Sequence, residues 1–503
     1  MSDIFDVGVY GQFPGLNAKA LVSRLMDAGK RPVVCFAKAD PAWEKDLQAL
    51  SAGRAFRIAA DFTELRACLP QRAQVFIFSR YDSFAEEASA YLSLLRAGDV
   101  VIEANAFPFR QSETIQEAFA ARDISWIPIK MTSGVQADPN SISIVAAMGA
   151  EDPDTRALLE SLVKRRLDNR PCLALVREAR LVAAARSGYR GLLDTVLQGI
   201  AEAAYILSNL FRLSPFETRM ILSDWGKTEL DSPVLEAARN ILGSMDENGE
   251  AVLSRITDKV KLDRSDIDTI RVSFEFGTVQ PLAQAAFSAR LLSGMKEERL
   301  GASVNFNGSK KLGAEPKEFI ASVRDAYIAS FAIAYAQSLG FLRSAIAPAE
   351  LPDSAWAEIP IAPHSPINAE SNAEISDIAL AWAGASLLQG PLLDLAATSF
   401  EQGPSLSGLL LAPSYQAILN RCQEGLRKTV AKLAEAGIPA PVLSSALSLY
   451  DSFRSEQLSA NLVAAGLDYF FGVGYERVDN PNGERYHLDW LGSGTQTKLP
   501  PKR

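Results

Sequence analysis

The sequence predicts an α/β domain built on a doubly wound parallel sheet, followed by a large all-α domain. Two observations predict it. Over the first third, short apolar runs alternate with amphipathic stretches, the pattern of strands separated by helices. Beyond about residue 176 the strand-like runs nearly vanish, and long amphipathic or wholly apolar segments take their place. At 503 residues and 48% hydrophobic content, the chain has material for two or three domains with sizeable cores.

Taken in order, "DVGVYG", "PVVCFA", "FRIAAD", "QVFIFSR", "DVVIEAN" and "ISWIPIK" read as strands, because β-branched and aromatic residues dominate them and turn residues bound them. "NAKALVSRLMDAG" and "SFAEEASAYLSLLRAG" read as the helices between. "SISIVAAMGA" and "PCLALVRE" extend the sheet, which gives a first domain over 1–176. The second domain, 177–476, is expected to be helical through "LLDTVLQGIAEAAYILSNLF", "SPVLEAARNILGSM", "LAQAAFSARLLSGM", "FIASVRDAYIASFAIAYAQSLGFLRSAI" and "ISDIALAWAGASLLQGPLLDLAATSF". Segments apolar on every side belong at its centre. A faint duplication runs through it. A long apolar helix precedes Trp225, a Gly-containing bend and a second helix, and the same order recurs around Trp382. Residues 346–374, rich in Pro, Ala and acid, read as an inserted surface loop. The tail, 477–503, is polar yet keeps Tyr486 and Trp490, so part of it is expected to dock on its own subunit or on a partner.

Composition excludes several functions. A net charge of −9 without a long basic stripe argues against nucleic acid. Cys35, Cys68, Cys172 and Cys422 stand far apart, which fits reduced thiols in the cytoplasm and neither zinc nor a disulfide framework. His364 and His487 stand alone, so no histidine metal site is expected. Asp224, Glu229 and Asp231 are better explained by helix capping than by a metal. The charge-rich stretch "SMDENGEAVLSRITDKVKLDRSDIDTIR" reads as a solvated helix–loop–helix face. No apolar run reaches the roughly 20 residues of a membrane span, and the N-terminus lacks a basic region and cleavage site. We therefore expect a cytoplasmic protein with no membrane contact.

The first turn, "VGVYGQFPGLN", offers Gly11 and Gly15 as the ends of a dinucleotide-binding turn. Gln12, Phe13 and Pro14 between them crowd a pyrophosphate, and Pro14 withholds an N–H. Lys38, after the second strand, stands where a 2′-phosphate would sit. Binding of NADP or NAD and a purely structural turn both remain open on these residues.

The windows "VAAARSGYRGLLDTVLQGIAEAAYILSNLF", "DWGKTELDS", "KEERLGAS" and "AGIPAPVLSSALSLYDSFRSEQLSANL", with the aromatic tail, resemble 6-phosphogluconate dehydrogenase over nearly the whole chain, 346–374 excepted. The resemblance implies a Rossmann-like first domain, an NADP-linked decarboxylating oxidoreductase, and a homodimer whose C-terminal tail reaches the other subunit. It also implies a site motif, K-x-x-H-N-G-x-E-Y, that supplies general base, general acid and a phosphate ligand. Counted without a gap, those positions hold Arg186, Tyr189, Arg190, Gly191, Leu193 and Asp194. The family's strand-end Asn falls on Ala106, its S-G-G loop on Gln136, Ala137 and Asp138, a phosphate-binding Lys near Ile267, and a His on Val473. Arg290 and Arg454 match its phosphate-gripping arginines. A guanidinium keeps its proton up to a pH above about 12 and cannot serve as a general base near neutrality. Leucine has no proton to give.

Two functions follow. One is a pseudoenzyme or re-purposed homodimeric scaffold or ligand-binding protein. The other is a diverged NAD(P)-dependent oxidoreductase acting on another small hydroxy acid or carbonyl compound, with Arg186, Arg190, Arg290 and Arg454 available to an anionic small molecule.

Overall fold

The computed structural model describes residues 4–500, except 13–14, 39–40, 52, 79–87, 89–90, 105–111, 134–140, 149–151, 279, 309–314 and 347–368. The chain forms two compact units, Met1–Leu447 and Ser448–Arg503.

The first unit opens with an eight-stranded sheet in the order β3-β2-β1-β4-β5-β6-β7-β8. Its strands are β1 Val7–Gly11, β2 Pro32–Phe36, β3 Arg57–Ile58, β4 Gln74–Phe78, β5 Val100–Glu103, β6 Ser125–Ser133, β7 Ile142–Ala147 and β8 Leu173–Val176. The flanking helices are α1 Leu16–Asp27, α2 Pro41–Ser51, α3 Phe62–Ala67, α4 Ser112–Ala120 and α5 Pro153–Leu162. Of the stretch "SFAEEASAYLSLLRAG", 83–87 and 89–90 lie outside the described residues, and 91–94 are helical as expected. Side chains alternate across the sheet. Val9, Val34, Phe76 and Ile102 face one core together with α1 and α5, while Val33, Val75, Ile77 and Val101 face the other. Burial on both faces explains why these strands read as continuous apolar runs.

The sheet is not parallel throughout. Strand β6 is nine residues long: Ser125–Pro128 pair parallel with β5, and Ile129–Ser133 pair antiparallel with β7. Residues 129–133 thus run past the last β5 residue paired in register, Glu103, onto the carboxyl edge of the parallel strands. In open α/β sheets, that edge is where ligands bind.

From Ala179 the unit is helical: α6 Ala179–Leu210, α7 Pro215–Trp225, α8 Pro233–Leu242, α9 Arg264–Glu275, α10 Pro281–Gly294, α11 Lys296–Asn305, α12 Ile320–Ile346, α13 Ala369–Gly384, α14 Pro391–Gln402, α15 Pro413–Ala436 and α16 Pro441–Phe453. Helix α6 lies against β6 and β7, so the change from sheet to helices at about 176 falls inside the unit. The apolar run within Lys317–Ile346 is long enough to cross a membrane, contrary to expectation, but 67% of its most apolar window is buried inside the protein. It is the central helix of this fold, apolar because neighbours surround it.

Each of the two Trp-bearing segments packs on a long helix. Trp225, ending α7, packs on Tyr327 of α12 at 6.1 Å, and Trp382 of α13 meets Tyr189 of α6 edge-on at 5.4 Å. The bends after each Trp touch. A Cβ on Gly390 (φ +154) would lie 2.2 Å from the Asp231 carbonyl oxygen, so no other residue fits there. Most of the expected 346–374 loop lies outside the described residues. Its end belongs to α13, with Ser371, Asn372 and Glu374 buried, so 369–374 is a helix start and not a surface loop.

The second unit contains α17 Ala460–Phe471 and an antiparallel sheet of β9 Tyr475–Arg477, β10 Asn480–Leu488 and β11 Gln496–Lys498. The polar tail is therefore regular structure. Within the unit it is held to α17 through the buried Asp468. That carboxylate accepts from Gly474 N (2.8 Å), Leu488 N (3.2 Å) and Trp490 Nε1 (2.8 Å), and lies 2.9 Å from His487 Nδ1.

Candidate functional site

The candidate site begins where β1 ends, at the carboxyl edge of the sheet. A Cβ on Gly11 would meet Phe36 at 2.6 Å and Phe78 at 3.0 Å, so side chains from the flanking strands dictate glycine there. Gly15 caps α1 in extended conformation, and nothing lies within 4 Å of the place a Cβ would take. Ala37 N donates to Gly11 O (3.0 Å) and Lys38 N to Gln12 O (2.8 Å), which ties the turn to the loop after β2. A helix N-terminus behind an open glycine is the form that a pyrophosphate site takes, and Gly15 supplies it here. Lys38 is exposed beside them. Phe13 and Pro14 lie outside the described residues, as do Ala106, Gln136, Ala137, Asp138 and His364.

The first turn of α1 is stitched to the end of β6. Ser133 Oγ donates to Asn17 Oδ1 (2.8 Å), and Asn17 Nδ2 donates to Met131 O (3.4 Å). Lys130 lies in the same strand segment, on the side of α6. By strand alternation it shares a face with Trp126, and the start of α6 (Ala179, Ala183) packs on that face. Its Nζ sits 4.9 Å above the Tyr189 ring and donates to Met131 O at 3.2 Å. Burial, then Arg186, then Arg190, pull its ammonium down to a pKa of about 7. Tyr189 is buried, which lifts its phenol to about 12, and its hydroxyl accepts from Leu387 N at 3.2 Å.

One turn further along α6 the charges close on themselves. Arg190 Nε donates to Asp194 at 3.0 and 3.2 Å, and its Nη2 reaches Asp266 of α9 at 2.5 Å. Arg290 of α10 donates to Asp194 at 2.6 Å and to Asp266 at 3.3 Å. Two cations and two carboxylates form the centre of one network, with Asp266 2% exposed, and the exposed Asp263 joins it 3.9 Å from Arg190. Burial raises the Asp194 carboxyl above the usual range although both arginines pull it down. Asp266 is also locked locally: it accepts from Asp263 N (2.9 Å) and donates its own N–H to Asp263 (3.2 Å).

The structure thus brings Arg186, Tyr189, Arg190 and Arg290 into one region together with Lys130. Leu193 lies half-buried on the same helix. Ile267 is exposed, beside the buried Asp266. Arg454 and Val473 belong to the second unit, where Arg454 pairs with Asp451 at 3.4 Å. Arg190 and Arg290, expected to be available to an anion, are each paired with Asp194 and Asp266. The charge-rich stretch is solvated over most of its length, as expected; Asp266 and Thr269 near its end are buried, and the Asp266 carboxylate answers two guanidiniums. Sequence reasoning missed Lys130, Asn17 and Asp266. A charge inside the apolar run "ISWIPIK" was the available signal for Lys130; the other two carried none.

Residues 190–350 and 367–490 match the family described as 6-phosphogluconate dehydrogenase, C-terminal domain. The gap between these stretches falls within 347–368. The chain is 28% identical over 416 residues to the Mus musculus 6-phosphogluconate dehydrogenase, decarboxylating, covering 82% of this chain and 81% of that protein. It is 27% identical over 442 residues to the Haemophilus ducreyi enzyme of the same name, covering 87% of each. The Plasmodium falciparum 6-phosphogluconate dehydrogenase structure shares the fold, with a TM-score of 0.83 at 20% identity over 96% of this chain and all of that one. The family match covers more than half of the chain, and with it the protein belongs to the 6-phosphogluconate dehydrogenase family.

Proposed function

We propose that this family member is a nicotinamide-linked oxidoreductase for a small hydroxy acid lacking a phosphate, and not a decarboxylating 6-phosphogluconate dehydrogenase. One observation carries the reading. The position that the resemblance assigns to a phosphate ligand holds Asp194, which with Asp266 neutralises Arg190 and Arg290. A phosphate entering there meets two carboxylates, and like charges at contact cost several kcal/mol. The Plasmodium falciparum relative is described with NADP+ as cofactor and 6-phosphogluconate as substrate. Family membership together with Gly11 and Gly15 supports carrying over a nicotinamide cofactor, and the charge network argues against carrying over the substrate.

Bound in that turn, the cofactor would supply a hydride acceptor. The chain's own part is to place a hydroxy acid on the carboxyl edge of the sheet, with the Arg186 guanidinium beside it as the partner for a single carboxylate. The test is titration of the protein with NADP and NAD, then turnover assays with 6-phosphogluconate, gluconate, glycerate and 3-hydroxypropionate. Micromolar cofactor binding with turnover confined to the non-phosphorylated acids supports the reading. Turnover of 6-phosphogluconate refutes it.

A second reading, a pseudoenzyme serving as a ligand-binding scaffold, is favoured by Leu193, a hydrocarbon where the resemblance asks for an acid. Silence with every cofactor and acid would select it. We further infer a homodimer. On α17, Leu462, Val463, Phe470 and Phe471 are 62–77% exposed, an apolar face unusual for a monomer surface, and a second copy is the occupant the resemblance implies. Mass measurement in solution tests it, and a monomer at micromolar concentration refutes it. A cytoplasmic setting accords with four buried, unpaired cysteines.

A further inference from the structure

We propose that the proton acceptor of this site lies on the sheet and not on helix α6: Lys130 Nζ takes the hydroxyl proton of the bound hydroxy acid. The proposal deepens the oxidoreductase reading and rests on it.

The geometry carries it. Lys130 stands in the segment of β6 that leaves the parallel ladder, where the sheet opens at its carboxyl edge. Its amine is held at two points, by the Met131 carbonyl and by the Tyr189 ring face, and it leans on α6 beside the arginine that occupies the family's base position. The stitch from Ser133 and Met131 to Asn17 fixes the same strand segment against the first turn of α1, three residues or fewer from Lys130. That holds the amine against the helix that carries Arg186, on the face of β6 opposite α1, in a strand segment fixed to the first turn of α1.

The charged groups around Lys130 make it a base. From α6 come Arg186 and Arg190, both cationic, and Tyr189, whose phenol keeps its proton through neutrality. Asn17 of α1, tied to Ser133 of the same strand, is neutral. On α4, Glu113 and Glu117 are exposed, and on β5 the buried Glu103 lies in register with Pro128. The arginines act on the amine directly and favour its neutral form, which a general base requires. An arginine on the helix and a lysine on the strand then divide the work: Arg186 holds a carboxylate and Lys130 exchanges the proton.

The step balances. The substrate O–H bond breaks and its proton forms a new N–H bond on Lys130, while the adjacent C–H bond gives its electron pair and hydrogen to an oxidised nicotinamide dinucleotide, leaving a C=O bond. The substrate loses two electrons and the dinucleotide gains them. The ammonium returns its proton to solvent when product leaves.

Two measurements test it. In protein labelled with 13Cε-lysine, the Lys130 resonance, assigned by its absence in K130R, is expected to titrate near pH 7 while surface lysines titrate near about 10. In turnover with the hydroxy acids named above, Lys130→Met and Lys130→Arg are each expected to lose about 100-fold or more in kcat/KM. The low-pH limb of the wild-type profile should fall near 7, and cofactor affinity should stay unchanged. A midpoint above about 9 overturns Lys130 as the base and leaves the oxidoreductase reading standing. So does a K130M variant within tenfold of wild type. Absence of turnover with every acid overturns that reading, and the base with it.

Discussion

Replacing Asp266 by Ala tests the charge network from the stability side. Asp266 lies 2.5 Å from Arg190 and 3.3 Å from Arg290, and is itself 2% exposed. At about 3.3 Å and an effective dielectric of about 20, one such contact has a Coulomb energy of about 5 kcal/mol. Most of that is offset by the cost of taking the charges out of water. Removing one partner leaves two guanidiniums sharing Asp194, and breaking a buried network of this kind costs about 3–5 kcal/mol. The Arg190 side chain is 34% exposed, so water screens part of the loss. We therefore expect about 3 kcal/mol from D266A in urea unfolding followed by circular dichroism. D266A/R290M removes the orphaned cation as well and should recover at least a third of that loss, a coupling that the double-mutant cycle reads directly. A loss below about 0.5 kcal/mol for D266A, or a double variant less stable than the sum of its parts, would refute the view that these four side chains form one compensated unit.

Three further outcomes follow from particular contacts. Asp194→Asn leaves two arginines against one carboxylate, so inorganic phosphate should bind at millimolar concentration by calorimetry where wild type shows no heat; equal heats would remove the argument that an internal carboxylate stands in for phosphate. Glu202 is 4% exposed, accepts from Val442 N at 3.2 Å and Gln198 at 3.1 Å, and burial lifts its carboxyl to about 7. A carboxyl raised in the folded state contributes stability below its unfolded value near 4.5 and loses it as pH climbs to about 7. Glu202→Gln should therefore match wild type at pH 4 and exceed it at pH 8, by at most about 3 kcal/mol, in parallel urea titrations. A Cβ on Gly199 would lie 2.5 Å from the Phe331 ring, so Gly199→Ala should cost about 1–3 kcal/mol by thermal or urea unfolding, and a neutral result would mean that α6 and α12 can slide apart.

How much was legible before the structure depends on how local the signal is. The strands and helices were readable because each needs only its own period. Val7–Gly11 and Pro32–Phe36 carry continuous apolar runs, and α8 announces itself with Ser232 before Pro233, a cap whose hydroxyl accepts from Leu235 N at 3.2 Å. The turn of β6 toward an antiparallel partner was not readable, because register between strands is set by packing and not by either strand alone. The same holds for the tail, where Asp468 organises residues up to 22 positions away. In the site, the gap-free count placed Arg186 and Arg190 four residues apart in one motif, and the structure has both on α6. It could not reveal that Asp266, 76 residues further on, returns to meet Arg190. Pairing across such a distance leaves no trace in one sequence, and a lone aspartate in a charged stretch reads as solvated.

The charge balance of the site narrows what can enter it. Arg190 and Arg290 are cancelled by Asp194 and Asp266, so that group of four contributes no net charge to a ligand. Beside β6 stand Arg186 and Lys130. Protonating Lys130 adds one positive charge there, which an acid that also carries a phosphate feels more strongly than a monocarboxylate does. Ligand charge and lysine protonation are therefore one question. A monocarboxylate should bind with an affinity that changes little between pH 6 and 8, apart from the proton it displaces. A phosphorylated acid should bind more tightly on the acid side, where Lys130 has gained its proton. Measuring the affinity of gluconate and of 6-phosphogluconate across that interval separates the two cases without any turnover. A phosphorylated acid bound more tightly at pH 8 than at pH 6 contradicts the assignment of charge on which this reading of the site depends.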